Sequence, residues 1–272
     1  MALARFVGAG YLLAMLLSGV TPVMADGVRD SLLKAADVEA SGQYTRERFL
    51  ALQKQPFNPA DSRRKALIIG DSHAQDFLNS VVENGYLANY QIRTRYIPFR
   101  CQVFLSEAGK QYLMPKDAAL CAGSDSLELA REQIAQADLI ILSSMWEEWA
   151  ARLLPETIRN LGLRSSQRLV VIGRKEFGKI SVRKYLAMPE DKLLTLSNPV
   201  NASHLAINDI IRQGVGDDVF VDQQKLICGE GTTCRLFTDD LQLISFDGGH
   251  LTKAGAKYVG KRLFEGSFLG KL

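Results

Sequence analysis

The chain is poor in the residues that carry most chemistry, with three histidines, four cysteines and two tryptophans in 272 residues. The cysteines, at 101, 121, 228 and 234, make no CxxC pair and stand in no Cys/His spacing, so the familiar zinc and dithiol motifs are excluded. Charge of one sign is also missing. The 33 basic and 30 acidic residues leave +3, too little for the concentrated basic face that nucleic acid demands, and no nucleic-acid partner is expected. The apolar run FVGAGYLLAMLLSGV (6–20) is short for a membrane span, and the chain shows no internal repeat or low-complexity tract.

What is present begins with an export signal. Arg5 supplies a positive start, the apolar run follows, and Val23 and Ala25 stand at the small-residue positions before Asp26, so residues 1–25 read as a cleavable signal peptide, with an uncleaved anchor as the alternative. The mature chain is expected to be periplasmic or secreted. An oxidising compartment favours disulfides over free thiols. Four cysteines allow three pairings; loop closure between near neighbours favours Cys101–Cys121 and Cys228–Cys234, each worth about 2–4 kcal/mol.

Residues 26–64 read as a helical lead-in followed by a proline-broken, basic linker, and residues 65–272 as one domain. Within that domain apolar, β-rich runs alternate with amphipathic ones. KALII (65–69), QIRTRYIPF (91–99), ADLIILSS (137–144), RLVVIG (168–173) and DVFVD (218–222) read as strands. Between and after them, the face Ala74, Phe77, Leu78, Val81, Val82, then LELAREQIAQA (127–137), EEWAARLLPETIRNLG (147–162), NASHLAINDIIRQ (201–213) and TKAGAKYVGKRLF (252–264) read as helices. Strands apolar throughout require cover on both faces, so the expected class is a three-layer α/β sandwich with a mostly parallel, flavodoxin-like sheet. Ligands of such sheets bind at the carboxyl ends of the strands, and GDSHA (70–74) places Ser72 in the first of those loops.

Serine attacks a carbonyl at neutral pH only when a base takes its proton, usually a histidine oriented by a carboxylate. His73 adjoins Ser72 and points elsewhere; His204 falls inside an amphipathic helix and reads as a half-buried packing residue. His250 is different. In FDGGHLTKAGA (246–256) two glycines let Asp247 fold back onto its imidazole just before the last helix, giving an orienter and a base within four residues; a merely capped turn is the structural alternative.

GDSHA after the first strand and DGGHLTKAGA before the last helix resemble the first and last blocks of SGNH (GDSL-type) hydrolases, above all the SGNH domains of bacterial acyltransferase-3 proteins, over roughly residues 65–265. Cys101, Trp146 in LIILSSMW, and the Cys228/Cys234 pair match further features of those domains. The resemblance implies Ser72 as nucleophile, His250 as general base and then acid, Asp247 as its orienter, and the Ser72 N–H as one oxyanion donor. The family's other donors, a Gly in the second block and an Asn in the third, are absent. The backbone of Cys101 or Gln102, and Ser143 or Ser144, stand in the corresponding loops.

The resemblance implies an exported O-acyl, above all O-acetyl, transferase or esterase that needs no cofactor, acts on a cell-envelope glycan and takes its acyl group from a membrane donor protein. Trp146, with Trp149, is a candidate to stack on a sugar ring. RKEFGKISVRK (174–184) reads as a solvated basic loop, or as a dock for anionic glycans or phospholipid headgroups. Two other readings stand beside the enzyme: a metal-dependent hydrolase using Asp71, His73, Asp76, Asp247 and His250, and a non-catalytic glycan-binding or assembly protein that kept the fold.

Overall fold

The computed structural model describes residues 26–272, so the signal sequence expected over 1–25 lies outside the described residues. Two helices, α1 (Asp26–Ala36) and α2 (Val38–Ala51), precede the strands β1 (Arg64–Gly70), β2 (Tyr90–Tyr96), β3 (Leu139–Ser143), β4 (Arg168–Ile172), β5 (Ser197–Pro199), β6 (Phe220–Val221) and β7 (Thr233–Arg235). Five strands form one parallel sheet in the order β2-β1-β3-β4-β6, while β5 and β7 pair antiparallel as a separate ribbon. This is the doubly wound α/β architecture expected of strands that alternate with crossover helices.

Alternation of side chains across the pleat explains the layers. Ala66, Ile68, Leu139, Ile141, Val170 and Ile172 enter one core, where they meet Phe77, Leu78 and Val81 of α3 (Ser72–Glu83) and Val259 and Leu263 of the last helix, Lys253–Gly266. Leu67, Ile69, Ile140, Leu142 and Val171 enter the other, against Ala150 and Leu154 of the Glu148–Leu161 helix and Ile207 and Ile211 of the Ala202–Val215 helix. Strands apolar on both faces are thus buried on both faces. Val82, grouped by periodicity with the buried stripe of α3, is 44% exposed at the edge of that stripe. Pro155 leaves its helix unbroken. Both disulfides pair near neighbours, Cys101 with Cys121 and Cys228 with Cys234.

The lead-in is docked. Phe49 of α2 is fully buried, its carbonyl accepts the Thr94 hydroxyl at 2.6 Å, Asn79 Nδ2 donates to the carbonyls of Tyr44 and Thr45, and Arg48 pairs with Glu83 at 2.6 Å. α2 therefore lies against α3 and the β2 edge. The carboxyl ends of the central strands are level, because Gly70 faces Tyr96 on one side and Ser143 on the other, and Ser143 faces Ile172. β2 is added on one side of β1 and β3, β4 and β6 on the other, so the switch point of the sheet falls at the end of β1, at Gly70. Only glycine fits there: φ is +151°, and a Cβ would lie 1.7 Å from the Ser143 carbonyl oxygen.

Candidate active site

At the switch point Asp71 caps α3, accepting the His73 N–H at 2.8 Å on one carboxylate oxygen. Its other oxygen accepts the Ser144 hydroxyl at 2.6 Å and the Met145 N–H at 2.8 Å, tying the β1 loop to the β3 loop. Burial pushes the Asp71 carboxyl up in pKa, and these bonds oppose the shift. Gln102 joins the β2 loop to the same place, donating to the Met145 carbonyl and accepting the Glu147 N–H, and Arg174 after β4 donates to the Trp146 carbonyl at 2.7 Å. The loops after β1, β2, β3 and β4 thus converge at one rim.

Ser72 is the first residue of α3 and is partly exposed. Neither its hydroxyl nor its N–H has a hydrogen-bond partner among the described residues. An N–H in the first helical turn has no intrahelical acceptor and is available to an incoming oxygen. His73, next in sequence, points into the protein; burial, reinforced by the charges of Lys175 and His250, holds its pKa far below 6.5, so it is neutral.

Asp247 accepts the N–H groups of Gly249 at 2.9 Å and His250 at 2.7 Å on one oxygen, and its other oxygen lies 2.6 Å from His250 Nδ1. The fold-back depends on Gly248, whose φ is +99° and whose absent Cβ would meet the Gly178 carbonyl oxygen at 2.1 Å. The hydrogen bond that His250 makes to the Asp247 carboxylate raises the His250 pKa above 6.5 against the opposing effect of burial, with the charge of Asp76 adding to the rise. Burial alone would raise Asp247, but the bonds from His250 and Gly249 outweigh it and bring the carboxyl to about 2.

A clamp brings this loop to α3. Ser72 and Asp76 are one turn apart on the same helical face. Asp76 accepts the Leu251 N–H at 3.2 Å and pairs at 2.7 Å with Lys175, which also donates to the Gly249 carbonyl. Both side chains of the pair are almost completely buried, so the residues flanking His250 are fixed to the turn that begins with Ser72. No hydrogen bond joins Ser72 to His250 among the described residues.

Several sequence expectations change. The Cys101 and Gln102 N–H groups donate to the Pro98 carbonyl, closing a turn, so neither is open to an oxyanion, and the Ser144 hydroxyl is bound to Asp71. Ser143 Oγ is buried without a hydrogen-bond partner among the described residues. Trp146 is fully buried and its indole N–H donates to the Ile172 carbonyl at 2.8 Å, so it braces the sheet and offers no face to a sugar. Trp149, partly buried, packs against Phe104 and Tyr112. The basic stretch is not a solvated loop at its start: Arg174 and Lys175 are buried, and Arg174 lies 2.6 Å from His204 Nε2, whose other nitrogen contacts Glu176. His204 is half-buried as expected, but in a polar network. The five residues of the metal reading do not converge: Asp71 and Asp76 are engaged as above, and no three candidate ligands share a site among the described residues. Lys175 escaped sequence reading. Its position directly beyond a strand ending at the rim was the available signal.

A cavity of about 460 Å³ opens beside the imidazole, between α2 and the rim, lined in part by Arg46, Gln75, Tyr96, Phe246, Asp247 and His250. The Phe246 ring stacks on the His250 ring at 5.8 Å. No helix among the described residues is long and apolar enough to cross a membrane.

No curated protein matches the chain. Among solved structures, the periplasmic domain of a lipopolysaccharide acetyltransferase from Salmonella ser. Paratyphi A is similar, with a TM-score of 0.55 at 15% identity, over 86% of this chain and 98% of that one. At that identity the likeness concerns the fold. The sequence profile described as the SGNH domain fused to AT3 domains matches residues 39–265, a span that begins at the second residue of α2, takes in every strand and ends one residue short of the end of the Lys253–Gly266 helix. The chain belongs to that SGNH-domain family.

Proposed function

We propose that this protein is an exported serine O-acyltransferase or esterase that moves an acyl group, acetyl in the first instance, on a cell-envelope glycan through an acyl-Ser72 intermediate. The observation that carries the reading is the Asp76–Lys175 clamp, which fixes the Asp247–His250 pair beside the turn bearing a solvent-accessible, unpartnered serine. In the proposed reaction His250 Nε2 takes the Ser72 proton as Oγ attacks the ester carbonyl, and Asp247 supports the imidazolium that forms. The Ser72 N–H stabilises the oxyanion. The imidazolium then protonates the departing alkoxide, and a sugar hydroxyl or water, deprotonated in turn by His250, releases the acyl group. Membership of a family fused to AT3 domains supports a membrane protein as acyl donor, and the two disulfides fit a periplasmic setting.

The test is mass spectrometry of the mature chain after incubation with an activated acetyl ester. The expected result is an acetyl adduct on the peptide containing Ser72, together with ester turnover that Ser72→Ala abolishes without altering thermal unfolding. Turnover by Ser72→Ala at the wild-type rate would refute the assignment. One observation favours a second reading, a glycan-binding protein without catalysis: the N–H groups and hydroxyl expected to complete the oxyanion hole are engaged internally. Removal of a single donor typically costs about 10² to 10³ in rate. Absence of both adduct and turnover, with glycan binding retained, would select that reading.

A further inference from the structure

We infer that the cleft beside His250 selects sugar chains carrying a negative charge, and that Arg46 of α2 is the residue that reads it. This deepens the proposed function by naming a substrate class for the same site. The cleft is closed on one side by α2, which presents Val38, Gly42, Arg46 and Leu50, and on the other by Tyr96, Phe246, Asp247 and His250. Of the charged groups lining it, Asp247 and His250 are bound to each other. Arg46 has neither a carboxylate within ion-pair distance nor a hydrogen-bond acceptor among the described residues, so an intact guanidinium faces an open cavity.

A second feature points the same way. Gly42 stands one turn before Arg46, and a Cβ there would lie 3.2 Å from Arg46 Nη1. The guanidinium therefore lies back over the bare helix at residue 42. Glycine within a helix costs about 0.5–1 kcal/mol relative to alanine, and a methyl at 42 would push the guanidinium away by a few tenths of an ångström. The planar guanidinium matches a carboxylate or phosphate through two parallel hydrogen bonds. Tyr96 and Phe246, with Val38 and Leu50, which are 64% and 43% exposed, supply apolar surface for the faces of sugar rings on either side. The hydroxyl or ester to be handled would lie next to a charged sugar, because Arg46 and His250 border one cavity.

The experiment measures binding on the mature Ser72→Ala chain by calorimetry, so that turnover does not interfere. The probes are a galacturonate trisaccharide, its fully methyl-esterified and hence neutral counterpart, and a sugar phosphate. The acid is expected to bind about tenfold more tightly than its ester, as one charge-assisted pair provides. Arg46→Gln should abolish that preference, Arg46→Lys should keep part of it, and Gly42→Ala should weaken it by crowding the guanidinium. Whichever anionic probe loses more affinity in Arg46→Gln names the anion. Equal binding of acid and ester, a preference that survives Arg46→Gln, or no binding of any probe would overturn the inference. An acetyl adduct on Ser72 with no charge preference would sink this inference alone; a charge preference with no adduct would sink only the catalytic reading.

Discussion

Replacing Lys175 by methionine keeps most of the side-chain volume and removes one charge from an ion pair whose two side chains are 1% and 0% exposed. The Asp76 carboxylate would remain buried with the Leu251 N–H as its only other hydrogen-bond partner among the described residues. Breaking a buried pair from one side costs about 3–5 kcal/mol, because the remaining charge is neither solvated nor compensated. In a chain of this size each kcal/mol lowers the melting temperature by about 2–4 °C, so Lys175→Met should melt about 6–20 °C below the wild type. Thermal and urea unfolding of the mature protein measure it. A double variant, Lys175→Met with Asp76→Leu, removes both charges together and should recover most of the stability. It should not recover ester turnover, since the Gly249 carbonyl and Leu251 N–H then lose their anchors and the His250 loop is free of α3. A Lys175→Met protein within about 1 kcal/mol of wild type would show that the pair is not a clamp, as would a double variant with full turnover.

Three further outcomes follow from the structure. The folded-state pKa of His250 lies above its ordinary 6.5, so its contribution to stability is complete below about 6.5 and disappears as pH rises through the raised value; Asp247, at about 2 against an ordinary 3.8, contributes fully above about 4 and loses its contribution as pH falls toward 2. A base must be neutral to accept the Ser72 proton, so the pH profile of kcat/KM should rise with a midpoint above 6.5, and Asp247→Asn should shift that midpoint downward while lowering the plateau; an unmoved midpoint counts against the pairing. Replacing Cys101 and Cys121 together by serine opens a loop with a sequence separation of 20 and should cost about 3 kcal/mol in urea unfolding, and equal midpoints would show the bridge to be idle.

The layers were legible because the signal for them is local. Continuous apolar runs such as LIILSS and VVIG have no solvated face, and a chain that alternates them with amphipathic segments has few ways to fold. The pairing of Asp247 with His250 was legible for the same reason, since both lie in one turn containing two glycines. What sequence could not give is whatever depends on direction across the fold. Trp146 and the Arg174–Lys175 pair follow strands that end at the rim, and nothing in their neighbours says whether a side chain there turns outward to a ligand or back into the sheet. In these cases it turns back: the Trp146 indole N–H finds the Ile172 carbonyl, and the Lys175 ammonium finds Asp76. The loop from Arg174 to Val200, which carries the short strand β5, lacks periodicity of either kind and gave no sign of its inward-facing cations.

The two aspartates around Ser72 hold two remote loops against the start of α3, with no hydrogen bond between Ser72 and His250 among the described residues. Asp71, one residue before the serine, holds the β3 loop through Ser144 and Met145; Asp76, one turn after it, holds the 247–251 loop through Leu251 and Lys175. Each carboxylate spends its hydrogen bonds on a different neighbour, so the first turn of α3 is restrained on both sides while the hydroxyl between them stays uncommitted. A serine that were itself hydrogen-bonded into this scaffold would have to break that bond before attacking a carbonyl. Rigid flanks with a free centre are the arrangement that a preorganised nucleophile requires, and they follow from the placing of Asp at 71 and 76 on either side of one helix start.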